Sequence, residues 1–177
     1  MNHNSNCNHA NCSVIHTNKS VCQTISEMDW ERGIWNAAFS GDAEKVTALI
    51  NKARSAYELA NAPDNAGYIP LHYAARNGHI KICDILIKSG AHIDAQTKCG
   101  KATPLHKAAA AGKTEAVKFL IQSGACVTKQ DIDGQTALHK AIHNKKTDLI
   151  KILIEACPEI IAIKDNKGNL PSDISSH

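Results

Sequence analysis

Ile69-Pro70-Leu71-His72, Thr103-Pro104-Leu105-His106 and Thr136-Ala137-Leu138-His139 are three versions of one tetrapeptide. Their histidines stand at positions 72, 106 and 139. Small residues follow each one: Ala74-Ala75, Ala108-Ala109 and Ala141. A fixed period of about 33 residues marks a stacked helical repeat, in which no unit buries its apolar face without a neighbour. Each part of the tetrapeptide has a physical reason. Pro70 and Pro104 suit the first helical position, where the missing N–H costs little. Thr103 and Thr136 can cap that helix with a hydroxyl. Leu71, Leu105 and Leu138 point to the core. A neutral histidine donates and accepts at once, so it can tie one inter-repeat loop to the next.

The spacing places the remaining elements around these motifs. Gly78 and Gly112 fall between two helices, and Gly90 and Gly124 after the second, where left-handed residues end a helix. The runs Ile80–Ile87 and Ala116–Ile121 have the apolar spacing of a buried helix face, with Cys83 aligned to Val117 in the core. Upstream, Ile34-Trp35-Asn36-Ala37-Ala38 matches the first helix of a repeat without its Pro-Leu-His turn, and 42–52 supplies the second helix. Residues 53–64 read as a longer connection. The predicted units are 27–61 (an N-terminal cap repeat), 62–96, 97–129, 130–164 and a truncated cap at 165–177, preceded by a disordered leader at 1–26. In the fourth unit Lys145 stands where Gly112 stood, and Cys157 where Gly124 stood. A Cβ in a left-handed position costs about 1 kcal/mol, so this end is expected to be softer.

Several copies of Pro-Leu-His-x-Ala-Ala-x-x-Gly and Ser-Gly-Ala over roughly residues 28–174 resemble the ankyrin repeat family. The resemblance implies an all-α solenoid of about four helix-turn-helix repeats with short β-turn fingers, binding protein partners and supplying no enzymatic activity. It also implies a concave contact face at the turn tips and first helices: Tyr68, Tyr73, Arg76, Asn77, Lys101, Lys107, Gln135, Lys140 and His143. Many ankyrin repeats are hydroxylated on an Asn after the second helix. The matching positions here are Asp94 and Thr128, which leaves Asp94 as the only acceptor.

Composition narrows the remaining classes. Aromatics are 4% of the 177 residues, so the core must be aliphatic and alanine-rich. A net charge of +3, without a basic run interleaved with aromatics, does not point to nucleic acid. No stretch is apolar enough to span a membrane, and the leader has no apolar segment of a secretory signal. The seven cysteines therefore read as reduced thiols in a cytosolic or nuclear monomer. Cys7, His9, Cys12 and His16 are the candidate zinc ligands, although no Cys-x-x-Cys pair accompanies them. An alternative reading has the leader fold on that metal as a binding module; otherwise no cofactor is expected. No phosphate loop, His-Glu-x-x-His or nucleophile elbow occurs, so no enzyme is expected.

Overall fold

The computed structural model describes residues 33–176. Among them the regular structure is all helical. Helices α1 (Ile34–Ser40) and α2 (Ala43–Lys52) form the first hairpin, followed by a short α3 (Ala56–Ala60). Three further hairpins pair α4 (Pro70–Asn77) with α5 (Ile80–Lys88), α6 (Pro104–Ala111) with α7 (Thr114–Gln122), and α8 (Ala137–His143) with α9 (Thr147–Ala156). Two 3₁₀ turns follow, Pro158–Ala162 and Pro171–Ser176.

The hairpins stack in two rows. First helices touch first helices (α1 on α4, α4 on α6, α6 on α8), and second helices touch second helices from α2 through α5 and α7 to α9. One continuous core runs between the rows. It is built from Leu71, Leu105, Leu138, Leu86, Leu120 and Leu153, with alanines where first helices approach each other. Alanine at Ala74, Ala75, Ala108 and Ala109 leaves no exposed surface at all, so a larger side chain there would push repeats apart. Cys83 is fully buried, and burial pushes its thiol up to about 12, which makes it an inert core residue.

A finger precedes each Pro-Leu-His helix. In the first, Asp64 N donates to Tyr68 O (2.9 Å), while Asp64 Oδ1 accepts from the backbone N–H of Ala66 (2.9 Å) and Tyr68 (2.8 Å). Asp131 and Asp165 repeat this pattern with Gln135 and Asn169. The finger at 97–102 differs: Thr97 replaces the aspartate, one residue is added, and Lys101 takes the left-handed place at φ 47°. That added residue accounts for the longer of the two steps in the histidine series. A single backbone bond links successive fingers, as from Lys98 N to Ala66 O (3.1 Å) and from Ile132 N to Gly100 O (2.9 Å). The stacking is tight, since a Cβ on Gly134 would lie 2.6 Å from Asn166 N.

Two expectations need correction. Residues 53–64 are not simply a connection: Ser55 Oγ accepts from Glu58 N (3.1 Å) and starts α3. Cys157 is not left-handed. Its φ is −152°, because α9 runs to Ala156 and Pro158 then opens a 3₁₀ turn. Lys145 does adopt φ 53°, as its alignment with Gly112 predicted.

Candidate interaction face and its histidine ladder

The three motif histidines are buried, and their two ring nitrogens do different jobs. Nδ1 accepts from the backbone N–H three residues earlier: Ile69 to His72 (3.1 Å), Thr103 to His106 (3.2 Å), Thr136 to His139 (3.1 Å). Nε2 donates to the next finger: His72 to Ala102 O (3.0 Å) and His106 to Gln135 O (3.0 Å). A backbone N–H can only donate and a carbonyl can only accept. These partners therefore fix the neutral, Nε2-protonated tautomer. Burial, the largest influence, lowers the basicity of all three, that of His72 to about 4. His139 is less well served. Its Nε2 is buried without a hydrogen bond, although the Asn169 carbonyl, its equivalent acceptor, is near enough to favour the charged form.

The histidine, more than the threonine, closes the start of these helices. Thr103 Oγ1 is 3.5 Å from His106 N, the limit of a hydrogen bond, and the Thr136 side chain makes no cap bond to the backbone. Both hydroxyls instead sit 2.8 and 2.9 Å from Nδ1 of their histidine.

On this frame the first helices and fingers present an aromatic run. Tyr73 packs edge-on against Phe39 (centroids 6.4 Å apart) and tilted against Tyr68 (5.4 Å). Tyr73 OH donates to Asp64 Oδ2 (2.5 Å). Lys107 Nζ donates to Tyr68 OH (2.6 Å) and lies 4.6 Å from the ring centroid. Phe39, 46% exposed, is the most open ring of the three. Tyr68, Tyr73 and Lys107 are thus brought together in one cluster. Gln135 and Lys140 form a second pair, with Lys140 Nζ 2.8 Å from Gln135 Oε1 and 2.7 Å from Asp131 Oδ2. Asn77 donates to Phe39 O (2.6 Å) and so holds α4 to α1. Arg76, Lys101 and His143 are exposed, apart from these clusters. Phe39 stands two residues before its inter-helix glycine, as Arg76 does, a motif position that places it on the same face in the sequence.

On the opposite edge, Asn61 and Asp94 occupy equivalent places. Asn61 Oδ1 accepts from His92 N (2.7 Å), and Asp94 Oδ1 accepts from Cys126 N (3.0 Å). Asp94 is therefore not alone in that series: Asn61 belongs to it, its register hidden by α3. The leader residues Cys7, His9, Cys12 and His16 lie outside the described residues. Within the described residues no cluster of three or more His, Cys, Asp or Glu is placed to hold a metal, and no helix is long and apolar enough to cross a membrane.

A family model for ankyrin repeats (3 copies) matches residues 6–97 and 93–166. The chain belongs to the ankyrin repeat family. It is 52% identical over 86 residues to human ankyrin repeat domain-containing protein 39, a match covering 49% of this chain and 45% of that protein. The bovine protein of that name is 52% identical over 68 residues, covering 38% of this chain and 35% of its own length. Human protein fem-1 homolog C is 43% identical over 51 residues, 29% of this chain but 8% of that protein. The matched region thus spans less than half the length of each of these relatives. Ankyrin repeats are generally protein-interaction modules, and the paired rows, finger stacking and histidine ties seen here give this chain the rigidity such a module needs.

Proposed function

We propose that this chain is a scaffold or adaptor, without catalytic activity, that takes a protein partner on the face made by its fingers and first helices. The observation that carries the reading is the aromatic run Phe39–Tyr73–Tyr68. Tyrosine and phenylalanine offer large contact area at low entropic cost and are enriched where binding energy concentrates. The rings are held in place by Asp64, Lys107 and the helix ends, so little ordering is needed on binding. The chain acts as a monomer in the cytosol or nucleus, with neither nucleic acid nor membrane as its ligand.

A pulldown comparing wild type, Tyr68→Ala/Arg76→Ala and Lys81→Ala tests this. Lys81 is exposed on the second-helix row and serves as the control. Partners should be lost from the double variant and kept by Lys81→Ala. Recovery of the same proteins by all three would show that the face is not the one used.

A further inference from the structure

Charge is distributed unequally between the two rows. The first helices with the turns that follow them (33–42, 70–79, 104–113 and 137–146) carry six cations, Arg76, Lys107, Lys113, Lys140, Lys145 and Lys146, against one carboxylate, Asp42. The second helices carry six lysines and five carboxylates, which nearly cancel. Along the first row the count climbs with each repeat: none, then one, two and three. The aromatic run occupies the end where the count is lowest.

The turn lysines are also fixed in direction. The Lys113 stem lies over Gly78, where a Cβ would come 3.1 Å from its Cδ, and the Lys146 stem lies over Gly112, where a Cβ would come 2.6 Å from its Cε. Each ammonium group is thus carried on a stem laid against the preceding repeat, which lowers the entropy lost when it meets an anion. Two acids border the row: Asp42, whose Oδ1 caps α2 through Lys45 N (2.8 Å), and the exposed Asp148, which lines one cleft with Lys145 and Lys146. The others lie in the fingers and are mostly engaged. Asp64 serves its own turn and Tyr73, and Asp131 serves its own turn and Lys140. Asp133, at a fingertip, is exposed among the also exposed Lys98 and Lys101.

We infer that the partner segment is an acidic stretch of protein, seated with an apolar or aromatic side chain on Phe39, Tyr73 and Tyr68 and with carboxylates toward Lys113, Lys145 and Lys146. This rests on the face proposed above and adds the partner's chemistry and direction. Neighbouring helices pack about 8–10 Å apart, so α4 and α8 are ~20 Å apart. An extended chain advances ~3.3 Å per residue, which sets about six residues between anchor and acids.

A displayed library of random sixteen-residue peptides, selected in parallel on the full chain and its variants, decides the matter. Wild type should enrich peptides with one aromatic or large aliphatic residue and several Asp or Glu about six residues away. The acidic excess should vanish on Lys113→Gln/Lys145→Gln/Lys146→Gln, whose fold is verified by circular dichroism. The selected peptides should bind that variant roughly tenfold more weakly, at about two- to threefold per exposed contact, and should weaken with added salt. No enrichment, no acidic excess, or an excess unchanged by the triple variant overturns the inference. Neutral peptides lost on Tyr68→Ala/Arg76→Ala would overturn it while leaving the face intact; peptides indifferent to both variants would remove the face too. Tighter binding of a single-stranded oligothymidylate, abolished in the triple variant, would assign the row to nucleic acid and also overturn it.

Discussion

Acid should loosen this protein as soon as the pH falls below 6.5, through its buried histidines. His72 is buried, with Nδ1 facing the Ile69 N–H and Nε2 facing Ala102 O, so a second ring proton would be placed against a backbone donor. Its basicity falls from 6.5 to about 4, chiefly through burial. Above pH 6.5 both folded and unfolded chains hold the ring neutral and stability is complete. As pH falls below 6.5 the unfolded chain takes up a proton that the folded chain refuses. Stability then drops by about 1.4 kcal/mol per pH unit until the folded ring itself protonates near pH 4. His72 alone accounts for about 2 kcal/mol by pH 5 and about 3 kcal/mol in all. His106 and His139 are lowered in the same direction, chiefly by burial, and steepen the slope below pH 6.5. Against a typical stability of about 5–15 kcal/mol this is a large loss. Urea unfolding from pH 7.5 to 5.0, followed by circular dichroism, reads it directly. His72→Gln, weaker at neutral pH, should show a shallower dependence on pH, by about one proton. A denaturation midpoint constant over that range, or an unchanged slope in His72→Gln, would refute the assignment of these rings as neutral ties.

Backbone geometry supplies further tests. At Gly134 a left-handed φ of 73° coincides with a 2.6 Å approach to Asn166 N. Gly134→Ala should therefore cost about 2 kcal/mol by urea unfolding, strain and overpacking together. Gly124 is also left-handed, but nothing lies within 4 Å of its Cβ position. Gly124→Ala should cost only about 1 kcal/mol. Lys145 holds φ 53°. Lys145→Gly relieves that strain and should raise thermal stability by about 0.5–1 kcal/mol. The same change should weaken any acidic ligand of the first-helix row, so stability and binding would move in opposite directions. Hydrogen exchange at residues 141–174 should outpace that at 71–121; the reverse order would contradict the placement of the weak end.

The hairpins were legible because their signals are local. Proline at the first helical position, glycine after the first helix and alternating apolar pairs each act within one turn of chain. The histidine role was legible for a different reason: a ring that recurs at fixed spacing and can both donate and accept must satisfy something beyond its own helix. What could not be read depends on neighbours in space. Helix α3 is only five residues long, too short for an apolar period to announce it. It is held by contacts with the next repeat, where Asn61 Nδ2 meets Gly90 O (2.9 Å) and Tyr57 OH meets His92 Nε2 (2.8 Å). Among the face residues, side-chain type was evident and engagement was not. Lys140 reads as a free cation in sequence, and only the fold brings Asp131 within 2.7 Å of it.

The engagement of Lys140 bears on how the face works. Its partner, Asp131, also accepts the Gln135 N–H, and the Gln135 carbonyl receives His106 Nε2. One chain of hydrogen bonds therefore runs from a buried histidine through a finger to a lysine on the first-helix row. The corresponding finger upstream links Asp64 to Tyr68 and Tyr73. Groups that would touch a partner are thus held by the same fingers that the histidines tie together. If so, protonating the histidines should release the face as well as weaken the fold. Ligand affinity should then decline over the pH window in which stability declines, and a ligand present at neutral pH should shift that window downward by binding only the folded chain. A ligand whose affinity held constant to pH 5 while stability fell would show that the face does not depend on the ladder beneath it.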